Sequence, residues 1–112
     1  MELNRKPTVQ ELKLLELLVA KSTVLLPPNW KENLLVCPMK DGGMGSLLLF
    51  PNRMRNSERM MGRQVSEIQF TDQDGVQVIA SLNVDESDEL FELDMWKTDF
   101  SKLIKFPDID NG

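Results

Sequence analysis

From residue 76 the chain alternates without interruption. Val76, Val78, Ala80, Leu82 and Val84 fall on one side of an extended backbone, and Gln77, Ile79, Ser81, Asn83 and Asp85 on the other. A period of two over this length belongs to a half-buried strand and excludes a helix. Phe91, Leu93 and Met95 alternate in the same way with Leu90, Glu92, Asp94 and Trp96. A hairpin with Ser87-Asp88 at its centre sets Val84 opposite Phe91, Leu82 opposite Leu93 and Ala80 opposite Met95, so each apolar side chain meets another. The same register sets Asn83 beside Glu92, Ser81 beside Asp94 and Ile79 beside Trp96. One face of this hairpin is core, and the other is polar with one aromatic.

The N-terminal region has a different period. Thr8-Val9-Gln10-Glu11 has the form of a capping box, and Leu12, Leu15, Leu18 and Val19, widened by Leu14 and Leu17, recur at helical spacing. A helix is predicted over about 8–22, ended before Pro27-Pro28. Three further strands are predicted over about 33–39, 45–50 and 64–71, besides those over about 76–84 and 89–96. Pro38 marks an edge or a bulge, and Asp74-Gly75 a hairpin turn. The expected fold is α+β: an N-terminal helix packed on an antiparallel meander of about five strands, one domain over residues 1–112 with a flexible tail over 108–112.

Residue usage narrows the chemistry. The chain has no His, no Tyr and a single cysteine, Cys37, which removes imidazole general bases, His-ligated zinc, His-dependent nucleophile systems and any intrachain disulfide. No catalytic residue, metal-ligand set or cofactor is assigned. The N-terminus has no secretory signal pattern, no apolar run approaches the length of a membrane span, and one unpaired thiol fits a reducing interior, so the cytoplasm is expected. Residues 1–63 hold ten basic and six acidic side chains, and residues 64–112 hold three and twelve, a split from +4 to −9. Such a division predicts surfaces of opposite sign and argues against nucleic acid as the main partner, although it also serves simple solubility.

Three constellations could carry function. Asp41, Gly42, Gly43, Gly45 and Ser46 form a glycine-rich loop whose amides could cradle an anion, with Arg53 and Arg55 of the following Arg/Met-rich segment 52–63 as further ligand candidates. The loop lacks the Lys-Ser/Thr of a phosphate-binding loop and lies between strands, so a structural turn is the plainer reading. Segment 52–63 is either a solvated loop or an adaptable interface. Glu67, Asp85, Glu92 and Asp94, with Trp96, make a carboxylate face suited to a basic protein partner. Paired carboxylates can also act as acid and base, hold a hard cation, or form salt bridges with Lys97 or the arginines. Asp72-Gln73-Asp74-Gly75 begins like a calcium loop but lacks the later ligands. Trp96 is either an interface anchor or covered by Phe100-Ser101-Lys102-Leu103, and Cys37 reads as a buried inert thiol.

Asp41-Gly42-Gly43-Met44-Gly45-Ser46-Leu47, Phe70-Thr71-Asp72-Gln73-Asp74-Gly75-Val76, Ser81-Leu82-Asn83-Val84-Asp85 and the run from Glu89 through Trp96 to Ser101 resemble a small bacterial domain family of unknown function. The likeness covers most of residues 8–107 and departs at Lys102, where the family commonly has proline. It implies a bacterial source and carries a loose association with toxin-neutralising immunity proteins. Three functions stay open: a non-enzymatic binding module docking a basic protein through its acidic half, a small-molecule or metal-binding domain or small enzyme using the glycine loop and carboxylates, and a homo-oligomeric structural protein joined through Ile79, Leu90 and Trp96. The second requires a concave pocket collecting Asp41, Asp94 and an arginine.

Overall fold

The computed structural model describes residues 4–51 and 58–107. One helix, α1 (Val9–Lys21), precedes five strands: β1 (Leu35–Pro38), β2 (Leu47–Phe50), β3 (Met61–Thr71), β4 (Gln77–Asp85) and β5 (Leu90–Lys97). The chain is α+β, with an antiparallel sheet in the order β1-β2-β5-β4-β3. Segment 108–112, expected as a tail, lies outside the described residues.

The capping box forms as its residue types require. The Glu11 amide donates to Thr8 Oγ1 at 3.1 Å and the Thr8 amide to Glu11 Oε1 at 2.8 Å. Arg5 grips the same carboxylate with both terminal guanidinium nitrogens, Nη1 and Nη2, at 2.8 and 2.9 Å, tying the N-terminal segment to the helix start. Burial works against the Glu11 charge, but Arg5 and the Thr8 amide outweigh it and hold the carboxyl below its ordinary range. Leu14, Leu15 and Leu18 are buried against the sheet, and Ser66 Oγ donates to the Leu18 carbonyl at 2.7 Å, pinning the end of α1 to β3.

Strand order follows burial and departs from a sequential meander at one junction: β5, not β3, adjoins β2. β4 and β5 carry the longest apolar alternation and take inner positions, whereas β3, with only Val65, Ile68 and Phe70 partly buried against the core, is left at an edge. β1 forms the other edge, where Pro38 removes no ladder donor the sheet needs. That edge is capped, because the Arg5 and Val36 amides each donate to the other's carbonyl at 2.9 and 2.7 Å. Strand β3 begins at Met61, ahead of the expected 64, and its early half carries two register irregularities.

The central hairpin keeps the expected partners Leu82–Leu93, Ala80–Met95, Asn83–Glu92, Ser81–Asp94 and Ile79–Trp96. It departs at the turn, where a bulge pairs Val84 with Leu90 instead of Phe91. The loop is longer than a two-residue turn: Asp85 Oδ1 accepts the Ser87 and Glu89 amides at 2.8 and 3.0 Å, and Asp88 adopts φ +62°. Leu90 therefore enters the core, at 1% exposure, and Phe91 leaves it.

The chain after β5 is irregular and folds back. Leu103 and Phe106 pack against the core, and the Leu103 amide donates to the Gly43 carbonyl at 3.1 Å. A Cβ at Gly43 would stand 3.0 Å from Lys102 Cγ, and one at Gly45 3.3 Å from Leu103 Cδ2, and both glycines have positive φ.

Candidate functional site

The core face of the sheet is covered by α1 and the returning C-terminal segment, and among the described residues no helix or strand packs on the opposite face. The register lays out that open face in rows. Gln64, Asn83 and Glu92 lie side by side with Leu48 beyond, Glu67 lies beside Ser81 and Asp94, and Gln69 beside Ile79 and Trp96. Glu92 Oε1 accepts the Asn83 side-chain amide at 3.2 Å, and Glu67 Oε1 the Ser81 hydroxyl at 3.4 Å. None of Glu67, Glu92 and Asp94 has an ion-pair partner among the described residues. Partial burial, then the like charge of Asp94, push the Glu92 carboxyl above its ordinary value, and the Asn83 bond only partly opposes them.

An apolar patch adjoins the carboxylates. Trp96 is 43% exposed, and Phe100, held at φ +63°, lies with its ring 6.3 Å away at 51° and is 70% exposed. The two readings of Trp96 meet halfway: Phe100 flanks the indole without burying it.

Asp85 belongs to another place. Its carboxylate is buried at the end of the hairpin, where besides the turn amides it pairs with Arg59 at 3.1 Å. Burial opposes its charge, but the Glu89 and Ser87 amides and Arg59 hold its pKa below the usual range. Arg59 also donates to the carbonyls of Leu90, at 2.8 Å, and Leu49, and its guanidinium lies 5.3 Å from the Phe91 ring centre and 5.6 Å from that of Phe50. The backbone ladder between β2 and β5 comprises only Leu47–Leu93 and Leu48–Glu92. Arg59 continues it at one end, and at the other the buried Ser46 hydroxyl accepts the Met95 amide at 2.9 Å and donates to the Met95 carbonyl.

The glycine loop already holds an anion of its own. Asp41 Oδ1 and Oδ2 accept the Met44 and Ser46 amides at 3.0 and 2.8 Å. Burial raises and these hydrogen bonds, chiefly from Ser46, more strongly lower the Asp41 pKa. Beside the loop lies a cleft of about 210 Å³, whose lining includes Arg5, Glu11, Asp41, Gly43, Gly45 and Phe106. It gathers Asp41 and an arginine but not Asp94, which lies on the open face. Gly42 is exposed with open space about it, and Arg53 and Arg55 lie outside the described residues. Cys37 is half-buried on β1, not enclosed, because its side chain faces the open side with Leu48.

One cluster had no place among the expected sites. Lys97 is buried, and its ammonium donates to Asp72 Oδ2 at 2.8 Å, Asp74 Oδ2 at 2.6 Å and the Lys102 carbonyl at 3.0 Å, so three protons meet three acceptors. Asp72 in turn accepts the amides of Gln73, Ile104 and Lys105 at 2.7, 2.8 and 3.1 Å. The calcium-like beginning of this turn thus takes a lysine where a cation would sit. Among the described residues no three His, Cys, Asp or Glu side chains stand where they could hold a metal ion.

A family described as a domain of unknown function (DUF6984) matches over residues 4–107. No curated protein and no solved structure matches the chain. Among the described residues no helix is long and apolar enough to cross a membrane.

Proposed function

We propose that this chain, which belongs to the DUF6984 family of domains of unknown function, is a non-enzymatic binding module of the bacterial cytoplasm that docks a basic protein on its open sheet face, with Glu92, Asp94 and Trp96 central and Glu67 at the side. The observation that carries this reading is the adjacent pair Glu92 and Asp94. The two carboxylates repel and neither has a cationic partner among the described residues; partial burial, and after it the charge of Asp94, raise the Glu92 pKa. A pair that is unfavourable in the isolated chain becomes favourable against a positive surface, and complementary charge also speeds encounter. Trp96 with Phe100 supplies the apolar anchor that such interfaces concentrate. An immunity-like role, neutralising a basic toxin, fits this chemistry. The glycine-loop site has less behind it, because Asp41 occupies its own loop amides and Asp94 lies elsewhere. The two-fold contact through Leu90 loses that residue to the core.

The test is capture from a native lysate by wild-type protein beside the Glu92→Lys/Asp94→Lys variant, with the captured protein then purified and rebound. A basic protein held by wild type, lost by the folded variant and rebinding more weakly as salt rises supports the reading. Equal capture by both folded proteins refutes it.

Glu92 also gives a pH prediction of definite sign. Its folded pKa lies above its unfolded one, so its contribution grows as pH falls through the folded value and is unfavourable above it. Glu92→Gln is expected to leave stability at pH 7 unchanged or raise it by about 0.5 kcal/mol or less, given the solvent screening of a half-exposed pair. Urea denaturation at pH 7 and pH 4 checks this, and the gain should vanish at the lower pH.

A further inference from the structure

The two edges of the sheet are treated differently. β1 is capped by the N-terminal segment through the reciprocal Arg5 and Val36 bonds, whereas β3 has β4 on one side and, among the described residues, no strand on the other. The hydrogen-bond phase of β3 can be read from the turn that follows it. The Asp72 amide donates to the Val76 carbonyl at 2.9 Å, and bonds in an antiparallel ladder recur at every second residue. With Thr71 opposite Gln77 and Phe70 opposite Val78, Phe70 and Ile68 direct their amides and carbonyls to β4, while Glu67, Gln69 and Thr71 direct theirs outward. No hydrogen bond to those outward groups is found among the described residues, and all three side chains are exposed. The same three side chains stand on the open face, beside Ser81, Ile79 and Gln77.

We infer that the partner is received by strand addition: an extended segment pairs with the outer edge of β3 over Glu67–Thr71, its alternate residues basic and facing Glu67 on the carboxylate side of the sheet. This rests on the reading of the open face as the docking surface and names how a chain would reach it. Main-chain hydrogen bonds supply affinity in such complexes, and side chains on one face supply selectivity. The earlier half of β3 is unsuited, since its irregularities between Met61 and Arg63 and between Gln64 and Ser66 turn the edge out of register. Charge decides the occupant. A second copy paired edge to edge would bring two acidic faces together, whereas a lysine- or arginine-bearing segment places cations over Glu67 with Asp94 two strands inward.

The probe is an acetylated hexapeptide alternating lysine and threonine, with a glutamate-for-lysine counterpart as control, titrated into the isotopically labelled protein. The expected result is slowed hydrogen exchange at the Glu67, Gln69 and Thr71 amides with the lysine peptide and none with the glutamate peptide. Gln69→Pro removes an outward donor and no ladder bond, so the sheet should stay intact while peptide affinity falls roughly tenfold, and Gln69→Ala should bind as wild type does. The exchange measurement on wild-type protein stands whether or not the proline variant folds. Binding that shifts Glu92, Asp94 and Trp96 without protecting the β3 amides, unaffected by Gln69→Pro, would overturn strand addition and leave the open-face reading standing. Absence of any binding by the lysine peptide would also overturn it, while the lysate capture with Glu92→Lys/Asp94→Lys decides the open-face reading separately.

Discussion

Replacing Lys97 with methionine should lower the thermal midpoint by about 15 °C, because removing one partner of a buried ion pair leaves the charge of the other buried and uncompensated. The physical case is the completeness of the cluster. The ammonium satisfies Asp72, Asp74 and the Lys102 carbonyl, and the Asp72 carboxylate simultaneously holds the Ile104 and Lys105 amides. Without Lys97, burial of Asp72 is compensated only by backbone amides, and the C-terminal segment that lies over the glycine loop loses the bond to its Lys102 carbonyl, one of its several ties. Asp72→Asn in the same background should recover part of the loss, since a neutral side chain removes the stranded charge. The pH dependence has a definite sign. Burial would raise the Asp72 pKa, but the Ile104 amide, Lys97 and the other amides bring it to about 2. A depressed carboxylate stabilises the fold above its unfolded value and loses that contribution as pH falls toward the folded one. Lys97 works at the other end: desolvation is outweighed by Asp72 and Asp74, its pKa is raised, and its contribution fades only as pH climbs beyond the lysine range. Thermal denaturation from pH 2 to 7 should show wild type weakening most steeply below about pH 4, and Lys97→Met should flatten that limb. An unchanged midpoint in Lys97→Met would refute the cluster as an anchor.

Arg59→Met is expected to cost about 3 kcal/mol of the roughly 5–15 kcal/mol that holds a domain of this kind together. The guanidinium bonds to the Leu49 and Leu90 carbonyls from β2 and β5 and to the buried Asp85 carboxylate, and lies over two phenylalanine rings. Methionine can cover Phe50 and Phe91 but can satisfy none of those acceptors. Arg59→Lys should recover less than half of the loss, since a single ammonium cannot span two strands in a planar fork. Urea denaturation measures the energies. Hydrogen exchange localises them, with faster exchange along β2 and the start of β5 expected in both variants. A lysine variant as stable as wild type would show that charge alone matters and that the bridging geometry does not.

These two residues also show where reading from sequence stops. Lys97 left a trace: it follows Phe91, Leu93 and Met95 at spacing two, so the alternation places a charged residue on the core side of β5. Its partners are over twenty residues away in sequence, at separations of 25 and 23, and no local pattern links them. Arg59 left less. It stood as one of several arginines in a connecting segment, and its selection depends on the gap where β2 and β5 diverge, which exists only once the sheet is assembled. The same holds for the site. Glu92, Asp94, Trp96 and Glu67 were legible as an open face because alternation alone assigns sides, whereas Asp85 shares their spacing but is drawn inward by the turn amides it caps.

What the sequence determined by itself was everything governed within a few residues of backbone: the Thr8–Glu11 cap, the leucine face of α1, the period-two strands, most of the hairpin register and the polarity of each face. Only the tertiary structure decided that β5 joins β2, that a bulge exchanges Leu90 for Phe91, that Asp41 fills the glycine loop and that β3 lies at an edge with no partner strand among the described residues. The reason is physical. Local conformation depends on sterics and near-neighbour hydrogen bonds, which sequence spacing displays directly, while strand order and buried charge depend on which distant groups can satisfy one another once water is excluded.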